Sequence, residues 1–354
     1  MSLPTSEPSL LPSAGLRILL VKPKHIGDSL LLTPTIVAIK QARPGAEIWV
    51  VVRRGCEGIL AGCPEIDRLF TVAAVDRHER RRGDFFRDLR TTWQLSRPKF
   101  DYVFELGDGH RGRLLAGLAR TQHRYSVRPA TPFSAREARG FTGISGFDWG
   151  TCHRVEKDFR SVAEFFPLPE PIPPLRFDRQ FAQPWPGAEK LADFAVMQIG
   201  KRQSVGRWSR EGWEEVGRWL LTRVKNIVIT SGPAPDETQD AMWLCDRLGP
   251  DARATLGRAG WPEMADLLYR ARLYAGTDTA TMHLAAACDC PIVALFGSTW
   301  EGHWHPWHAA YRIVAEMDAA PGANPNESLA RAKKRTMTGI APARVIAACG
   351  EMLR

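Results

Sequence analysis

Short apolar runs alternate with longer helical stretches along the first half of the chain. Five runs predict strands, at 16–22, 46–52, 68–74, 101–106 and 123–127. Helices are predicted between several of them, at 28–42, 84–96 and 110–120. Brief apolar runs that alternate with helical segments are typical of a parallel sheet covered by helices on both faces.

A proline-dense segment, FFPLPEPIPPLRF, interrupts this alternation and predicts a linker. The alternation then resumes, with strands predicted at 194–199, 225–230, 272–276 and 291–296. Helices are predicted at 210–222, 236–248, 261–271, 279–288 and 340–353. The fold class is therefore α/β, with two doubly wound Rossmann-like domains expected to face one cleft.

The predicted domain boundaries follow the linker and the ends of the alternating pattern. Residues 1–15 are expected to form a disordered lead, 16–172 an N-terminal domain and 173–339 a C-terminal domain. Residues 340–354 are expected to form a terminal helix that could pack back on the N-terminal domain.

The composition favours anionic partners without choosing among them. The formal charge is +9 over 354 residues, which suits nucleotides, phosphorylated lipid surfaces or nucleic acid, although no nucleic-acid recognition motif is present. The seven cysteines form no Cys-x-x-Cys pair, so we expect reduced thiols in a cytosolic protein. No apolar window reaches the ~18 residues of a membrane span, so any membrane contact is expected to be peripheral.

Ligands bind at the carboxyl ends of strands in open parallel sheets, so the loops that follow strands matter most. In the segment 273–307, a strand ends at Gly276 and a helix is expected to begin near Asp278, a favoured N-cap residue. The amides of Thr279, Ala280 and Thr281 would then point out of the positive end of that helix, which predicts a diphosphate site.

His283 follows Thr279 by one helical turn, so both are expected on one face of this helix. The imidazole could donate a hydrogen bond to the same phosphate or to a nearby sugar. An ordinary capped helix with a core histidine explains the pattern equally well.

A second loop, QIGKRQSVGRWSREGW, follows the strand at 194–199. Lys201 and Arg207 could neutralise phosphate there. The alternative is a solvated loop with tryptophans packed beneath it.

A third loop, ITSGPAPDE, contains Gly232 in a turn rich in glycine and proline. Asp236 or Glu237 could accept a hydrogen bond from a ribose hydroxyl, or could simply cap the next helix. Neither this loop nor the other two matches a Walker loop or the Gly-x-Gly-x-x-Gly fingerprint.

The stretch KPKHIGDS, at the first strand-to-helix turn, gathers ionisable groups around Gly27. One interpretation is that Asp28 is a helix N-cap, worth ~1 kcal/mol. The other is that Gly27 lets a substrate approach the backbone, while Asp28 takes a proton from an attacking hydroxyl. Lys24 and His25 are then candidate acceptor-binding residues.

The chain resembles glycosyltransferase family 9, the bacterial ADP-heptose:lipopolysaccharide heptosyltransferases, from about residue 16 to 350. The motifs that carry the resemblance are ILLVKPKHIGDSLLLTPTIVAIK, GTDTATMHLAAACDCPIVALFGSTW and PARVIAA. The pattern is most similar to the inner-core heptosyltransferase III type. The resemblance implies the GT-B fold, an N-terminal half that binds lipid acceptor, a C-terminal half that binds ADP-heptose, and inversion without a metal.

Carried over by position, Asp28 matches the catalytic base of the family. The nucleotide-diphosphate contacts match Asp278, Thr279, Ala280 and His283. Two departures stand out: Ala280 where the family commonly has glycine, and Gly206 where lysine is frequent. Arg207, beside Gly206, could supply the missing charge.

Basic residues in the first half are candidates for acceptor contacts. The segment DRHERRRGDFFRDLR could dock on phosphorylated lipopolysaccharide core at the inner membrane, with Phe85 and Phe86 at the interface. A solvated loop followed by an amphipathic helix is the alternative. Arg128 and Arg136 are expected to bind acceptor phosphates and carboxylates.

The sequence thus predicts an inverting transferase that moves heptose from ADP-heptose to a sugar hydroxyl of the lipopolysaccharide inner core. It is expected to need no cofactor or metal, to bind no nucleic acid, and to work on the cytoplasmic face of the inner membrane of a Gram-negative bacterium. The alternatives are a family member with another nucleotide sugar or glycan acceptor, and a non-catalytic GT-B-like binding protein. The presence of Asp28 argues against the binding protein.

Overall fold

The computed structural model describes residues 15–73, 82–130, 132–188, 191–200, 207–317 and 324–353. The chain divides into two units. The first comprises Met1–Gly150 and Arg154–Pro173, and the second comprises Thr151–His153 and Pro174–Arg354. The division after Pro173 lies within the proline-dense segment. The predicted boundary, between residues 172 and 173, is one residue earlier. The predicted N-terminal lead lies outside the described residues, except for Gly15.

The first unit contains a parallel sheet of six strands, counted over the described residues, in the order β3-β2-β1-β4-β5-β6. Its strands are β1 Arg17–Lys22, β2 Glu47–Arg53, β3 Arg68–Val72, β4 Tyr102–Glu105, β5 Arg124–Ser126 and β6 Gly143–Ile144. Its helices are α1 Ile26–Leu30, α2 Thr33–Ala42, α3 Glu57–Leu60, α4 Asp84–Ser96, α5 His110–Leu118, α6 Ala135–Ala138 and α7 Arg154–Ala163.

The centre of this sheet is buried on both faces, which explains why β1 reads as a continuous apolar run. In β1, every side chain from Ile18 to Lys22 is buried. In β2, the Trp49 ring packs 5.2 Å from both Phe70 and Phe100, measured between ring centroids. Register is set by pairing Ile18 with Ile48 on one side of β1 and with Tyr102 on the other.

The second unit repeats the plan, with the parallel strand order β12-β11-β10-β7-β8-β9 over its described part. Its strands are β7 Phe194–Gln198, β8 Asn226–Thr230, β9 Ala252–Ala254, β10 Leu273–Thr277, β11 Ile292–Phe296 and β12 Tyr311–Ala315. Its helices are α8 Arg210–Leu220, α9 Pro235–Leu248, α10 Trp261–Arg270, α11 Ala280–Ala287, α12 Glu301–Trp304, α13 Pro325–Ala332 and α14 Pro342–Met352.

The terminal helix α14 is part of the second unit, whereas the sequence left open that it packs on the first. It contacts α8 and the strands β10, β11 and β12. The buried Trp208 reinforces this packing, because its indole Nε1 donates to the Ile340 carbonyl oxygen at 3.0 Å. Apolar burial against α8 thus decides the position of α14.

The helix predicted at 28–42 is interrupted and forms two helices, α1 and α2. Pro34 occupies the first turn of α2, where proline is tolerated because its missing N–H would have no helical partner. The same missing donor prevents one continuous helix from running through this position.

Each sheet reverses its strand order at one point, between β1 and β4 in the first unit and between β7 and β10 in the second. The connections leave these neighbouring strands in opposite directions, so a crevice opens at their carboxyl ends, where ligands bind in such sheets. The two doubly wound sheets are therefore confirmed. The loops that follow β1, β4, β7 and β10 lie at these crevices.

Candidate active site

The loop after β1 carries the proposed base. The chain turns after Lys22 and enters α1, whose N-cap is His25 in an extended conformation. Asp28 is the third residue of α1, and no side chain caps this helix. The interpretation of Asp28 as the N-cap is therefore wrong. Gly27 lies in the helix, and its carbonyl oxygen accepts from the Leu31 amide at 3.1 Å.

A buried ion pair lies beneath this loop. Lys22 is 3% exposed and donates to Asp158 of α7, which is fully buried. Burial raises the pKa of Asp158, the positive charge of Lys22 opposes that rise, and the negative charge of Asp28 adds to it. Asp28 is thus close enough to Asp158 for their charges to interact.

Asp108, in the loop after β4, joins two lysines. Its Oδ1 lies 3.0 Å from the Lys24 Nζ, and its Oδ2 accepts from Lys157 of α7. Burial would raise the pKa of Asp108, but Lys157 and Lys24 outweigh it and hold the pKa below its usual value. The Lys157 ammonium also lies 4.0 Å from the Trp149 ring centroid. One aspartate therefore links the loops after β1 and β4 to α7.

Asp28 differs from these two aspartates. Its side chain is half-buried and, within the described residues, makes no hydrogen bond or ion pair with another side chain. Asp108 and Asp158 are both engaged by lysines. A half-buried carboxylate that no described side chain engages is suited to accept a proton from a bound hydroxyl.

Glu105, at the end of β4, is a fourth acidic group at this point of the sheet. Its Oε2 accepts from the Ser126 hydroxyl at 2.8 Å and its Oε1 from the Gly107 amide at 2.9 Å. Burial raises the pKa of Glu105 to about 7. The adjacent glycines allow this burial, since a Cβ at Gly112 would lie 2.2 Å from Oε1.

The predicted acceptor arginines lie after the carboxyl end of β5. Arg128 is exposed, with its guanidinium NH1 3.6 Å from Asp148 Oδ1. Arg136 is exposed on α6, whose N-terminus is closed by a capping box between Ser134 and Glu137. Both side chains are accessible to a ligand. Their role in acceptor binding stays a prediction.

Sequence reasoning missed Asp108, Lys157 and Asp158. It also missed the helix α7 that carries two of them. Val155, Phe159 and Val162 recur at helical spacing and are all buried, so this amphipathic period was the available signal. Nothing local indicated which charges would pair.

In the second unit, α11 begins one residue later than expected. Its N-cap is Thr279, so the prediction of Asp278 as N-cap is wrong. Met282 is the first residue whose amide bonds back, to the Thr279 carbonyl oxygen at 3.1 Å. Within the described chain, the amides of Thr279, Ala280 and Thr281 donate to no backbone carbonyl. These three amides can therefore hold an anion.

The side chain of Thr281 is turned into the protein. Its Oγ1 lies 3.4 Å from the Gln198 Oε1, which also accepts from the Thr230 hydroxyl at 2.6 Å. The Gln198 amide donates to the Gly200 carbonyl oxygen at 3.1 Å. Gln198 thereby ties the ends of β7 and β8 to α11, and only the backbone of Thr281 is available to a ligand.

His283 is buried in α11, with its ring centroid 6.4 Å from that of Trp304. This buried position agrees with the alternative interpretation of the sequence, in which His283 is a core residue of an ordinary capped helix. The histidine does follow Thr279 by one turn, and its amide approaches the Thr279 carbonyl oxygen at 3.5 Å.

The loop after β8 places the remaining candidates together. Glu237 is buried in the first turn of α9, and a Cβ at Gly232 would lie 1.9 Å from its Oε2. Asp236 is exposed and pairs with Arg207, whose NH1 also lies 3.5 Å from Asp240 Oδ2. Two groups expected to contact a nucleotide sugar therefore neutralise each other. Lys201 lies outside the described residues.

Two absences hold for the residues that the structure describes. No group of three or more histidine, cysteine, aspartate or glutamate side chains is placed to hold a metal ion in that part of the chain. Among the helices described, none is both long and apolar enough to cross a membrane.

Two units, each built on a doubly wound parallel sheet, have the architecture of the GT-B fold. E. coli heptosyltransferase WaaC with ADP matches with a TM-score of 0.76 at 18% identity, covering 95% of this chain and 100% of that one. E. coli ADP-heptose heptosyltransferase II matches with a TM-score of 0.72 at 17% identity, covering 96% and 98%. These likenesses confirm the GT-B fold.

The model of glycosyltransferase family 9 (heptosyltransferase) matches residues 94–331, and the chain belongs to this family. Lipopolysaccharide heptosyltransferase 3 of Escherichia coli is 27% identical over 295 residues, which covers 79% of this chain and 83% of the relative. Lipopolysaccharide heptosyltransferase 1 of Pseudomonas aeruginosa is 29% identical over 296 residues, covering 81% and 80%. The resemblance seen in the sequence is confirmed.

The buried pair beneath the first loop generates a stability prediction. Lys22→Met leaves Asp158 buried without its counter-ion and should lower the free energy of unfolding by about 3–5 kcal/mol. Adding Asp158→Leu should recover much of that loss, because no charge is then buried. Chemical denaturation measures both variants, with Lys99→Met, at an exposed lysine, as the control. A double variant that is no more stable than Lys22→Met would contradict the pairing.

Glu105 generates a pH prediction. Between its ordinary pKa of 4.5 and about 7, the folded protein holds a proton that the unfolded chain has released. Stability should therefore fall as pH rises through this window, by up to about 3 kcal/mol. Glu105→Gln removes the titration, and its amide can still face Ser126. The wild-type minus variant difference in unfolding free energy should change between pH 4.5 and 7; a constant difference would contradict the assignment.

Proposed function

We propose that this chain is an inverting, metal-independent transferase that moves a heptose from ADP-heptose to a sugar hydroxyl of the lipopolysaccharide inner core, as a heptosyltransferase of type III. Family membership supports the reaction class. The name of the E. coli relative, lipopolysaccharide heptosyltransferase 3, supports the type. A neighbour solved with ADP-2-deoxy-2-fluoro heptose, at a TM-score of 0.69, supports the donor.

The observation that carries this proposal is the Asp28 carboxylate, which no described side chain engages while its neighbours Asp108 and Asp158 are paired. Asp28 takes the proton of the acceptor hydroxyl while the oxygen of that hydroxyl bonds to the anomeric carbon. The bond from that carbon to the diphosphate oxygen breaks on the opposite face, which inverts the configuration. ADP leaves with the bonding electron pair.

The acceptor is held around the same loop. Lys24, His25 and the backbone at Gly27 lie beside Asp28 in the chain, and their contacts orient the attacking sugar. Arg128 and Arg136 pair with phosphates or carboxylates of the core oligosaccharide. The abundance of lysine and arginine here suits a polyanionic acceptor.

The donor diphosphate is held by the amides of Thr279, Ala280 and Thr281 and by the positive end of α11. These groups stabilise the charge that builds up on the leaving ADP, and so no metal is needed. Asp278 and His283 adjoin this helix end. Arg207 can neutralise the diphosphate only if its guanidinium leaves Asp236 and pairs with phosphate instead.

The rest of the donor is held by the loops after β7 and β8. Lys201 contributes a second positive charge to the diphosphate. Gly232 and Glu237 adjoin Asp236, which is then free to bind a ribose hydroxyl. The protein acts as a peripheral protein on the cytoplasmic face of the inner membrane of a Gram-negative bacterium, and binds no nucleic acid.

The donor site is tested by Ala280→Pro. Ala280 is the first residue of α11 and follows an extended Thr279, so proline fits there and removes only one amide. ADP affinity should fall roughly tenfold, as for one hydrogen bond to a charged group, with the melting temperature of the free protein unchanged. Ala280→Gly keeps the amide and is the matched control. Thermal shift against ADP, UDP and GDP measures the effect. Equal ADP affinity in both variants, or stronger stabilisation by UDP or GDP, would count against this donor site.

Catalysis is tested by Asp28→Asn, which keeps the shape and removes the base. Turnover at saturating substrates should fall by roughly 10²–10⁴-fold. ADP affinity and melting temperature should stay near wild type, because Asp28 caps no helix. Asp251→Asn, at an exposed aspartate of the second unit, is the control, and wild type is assayed with and without a chelator. Near-normal turnover of Asp28→Asn would sink the base assignment, and wild-type activity lost to chelator would sink metal independence.

A further inference from the structure

Helix α4 presents its apolar side to solvent. Phe85, Phe86, Leu89 and Trp93 are 74%, 73%, 56% and 54% exposed. Its buried residues include Asp84 and Thr91. A surface helix of a globular protein ordinarily does the reverse, with its apolar stripe against the core.

Polar bonds hold the inner side of α4 in place. Arg54 pairs with Asp84 and reaches Asp88 at 3.6 Å, while Arg111 of α5 lies 2.6 Å from Asp88. The Thr91 hydroxyl donates to the Thr71 carbonyl oxygen of β3 at 3.2 Å. The helix is therefore attached by charged and hydroxyl side chains together with the buried Leu95, and its four large exposed apolar side chains face outward as a result.

The charges left facing outward are all positive. Both acidic residues of the segment 82–97 are bound on the inner side. Arg87, Arg90 and Arg97 are exposed, and the Arg97 guanidinium lies 4.0 Å from the Trp93 ring centroid. The neighbouring helix α5, which contacts α4, adds exposed Leu114 and Leu118. The surface thus combines large apolar side chains with arginine.

We propose that α4 lies in the surface of an anionic phospholipid bilayer, with Phe85, Phe86, Leu89 and Trp93 among the acyl chains and the arginines on lipid phosphates. Aromatic and leucine side chains beside arginine are what interfacial helices use. A second copy of the chain fits less well, because a two-fold interface would set the same arginines against each other. The proposal rests on the peripheral membrane location proposed above and names the element that makes the contact. Vesicle binding tests it without donor or acceptor, so its failure leaves the donor and catalysis tests unaffected.

The test is flotation of the full chain with vesicles. Wild type should bind vesicles of phosphatidylglycerol and phosphatidylethanolamine, and bind pure phosphatidylcholine at least tenfold less. The double variant Phe85→Ser, Phe86→Ser should lower the partition coefficient on anionic vesicles at least tenfold, because two apolar side chains are lost. Met242→Ser, at a 53% exposed methionine of α9, is the matched control and should bind as wild type does.

The arginine contribution is tested separately. Arg90→Gln should weaken binding to anionic vesicles roughly fivefold, as expected for one charge near the surface, with no effect on phosphatidylcholine. Wild type that stays in solution with anionic vesicles at low salt would overturn the proposal. So would a wild-type dimer in light scattering that the phenylalanine variant converts to monomer, since a second copy would then cover this face.

Discussion

A charge can be buried only beside an opposite charge, and the end of β1 is built around that requirement. Lys22 is held by Asp158, while Asp108 holds both Lys24 and Lys157. These bonds fix the loops after β1 and β4 against α7. Because they occupy two of the three aspartates, they leave Asp28 as the carboxylate of this cluster that a ligand can engage.

The second unit builds its site with little charge. Gln198 links Thr230 and Thr281 through neutral hydrogen bonds, and the groups left for a ligand are backbone amides at the start of α11. Arg207 is neutralised by Asp236. The first unit thus offers a carboxylate that no described side chain engages, and the second offers backbone amides at a helix end. These are the two kinds of group that the proposed transfer requires, a proton acceptor and a site for the leaving diphosphate.

The sequence indicated the strands that are buried on both faces, such as β1, β7 and β11, because these read as continuous apolar runs. It failed where a local preference met a tertiary contact. Asp28 and Asp278 are favoured N-cap residues, yet His25 and Thr279 occupy those positions. A cap is worth only ~1 kcal/mol, so the packing of the turn overrides it.

Pairings between distant residues could not be predicted at all. The Arg207–Asp236 pair removes a cation that sequence reasoning assigned to phosphate. The short strand β9 and the partly exposed β12 were also missed, because an edge strand has a weak apolar signal. The resemblance to a family indicates which loops matter. Which of their charged side chains are already paired with each other depends on the folded structure.

The distance along the chain between Lys22 and Asp158, 136 residues, has a consequence for synthesis on the ribosome. The strands β1 to β4 can pair before α7 has emerged, but Lys22 then has no counter-ion and its burial is opposed. We expect the nascent first unit to stay incomplete until α7 leaves the exit tunnel. The charge that organises the loop after β1 also sets when that loop can form.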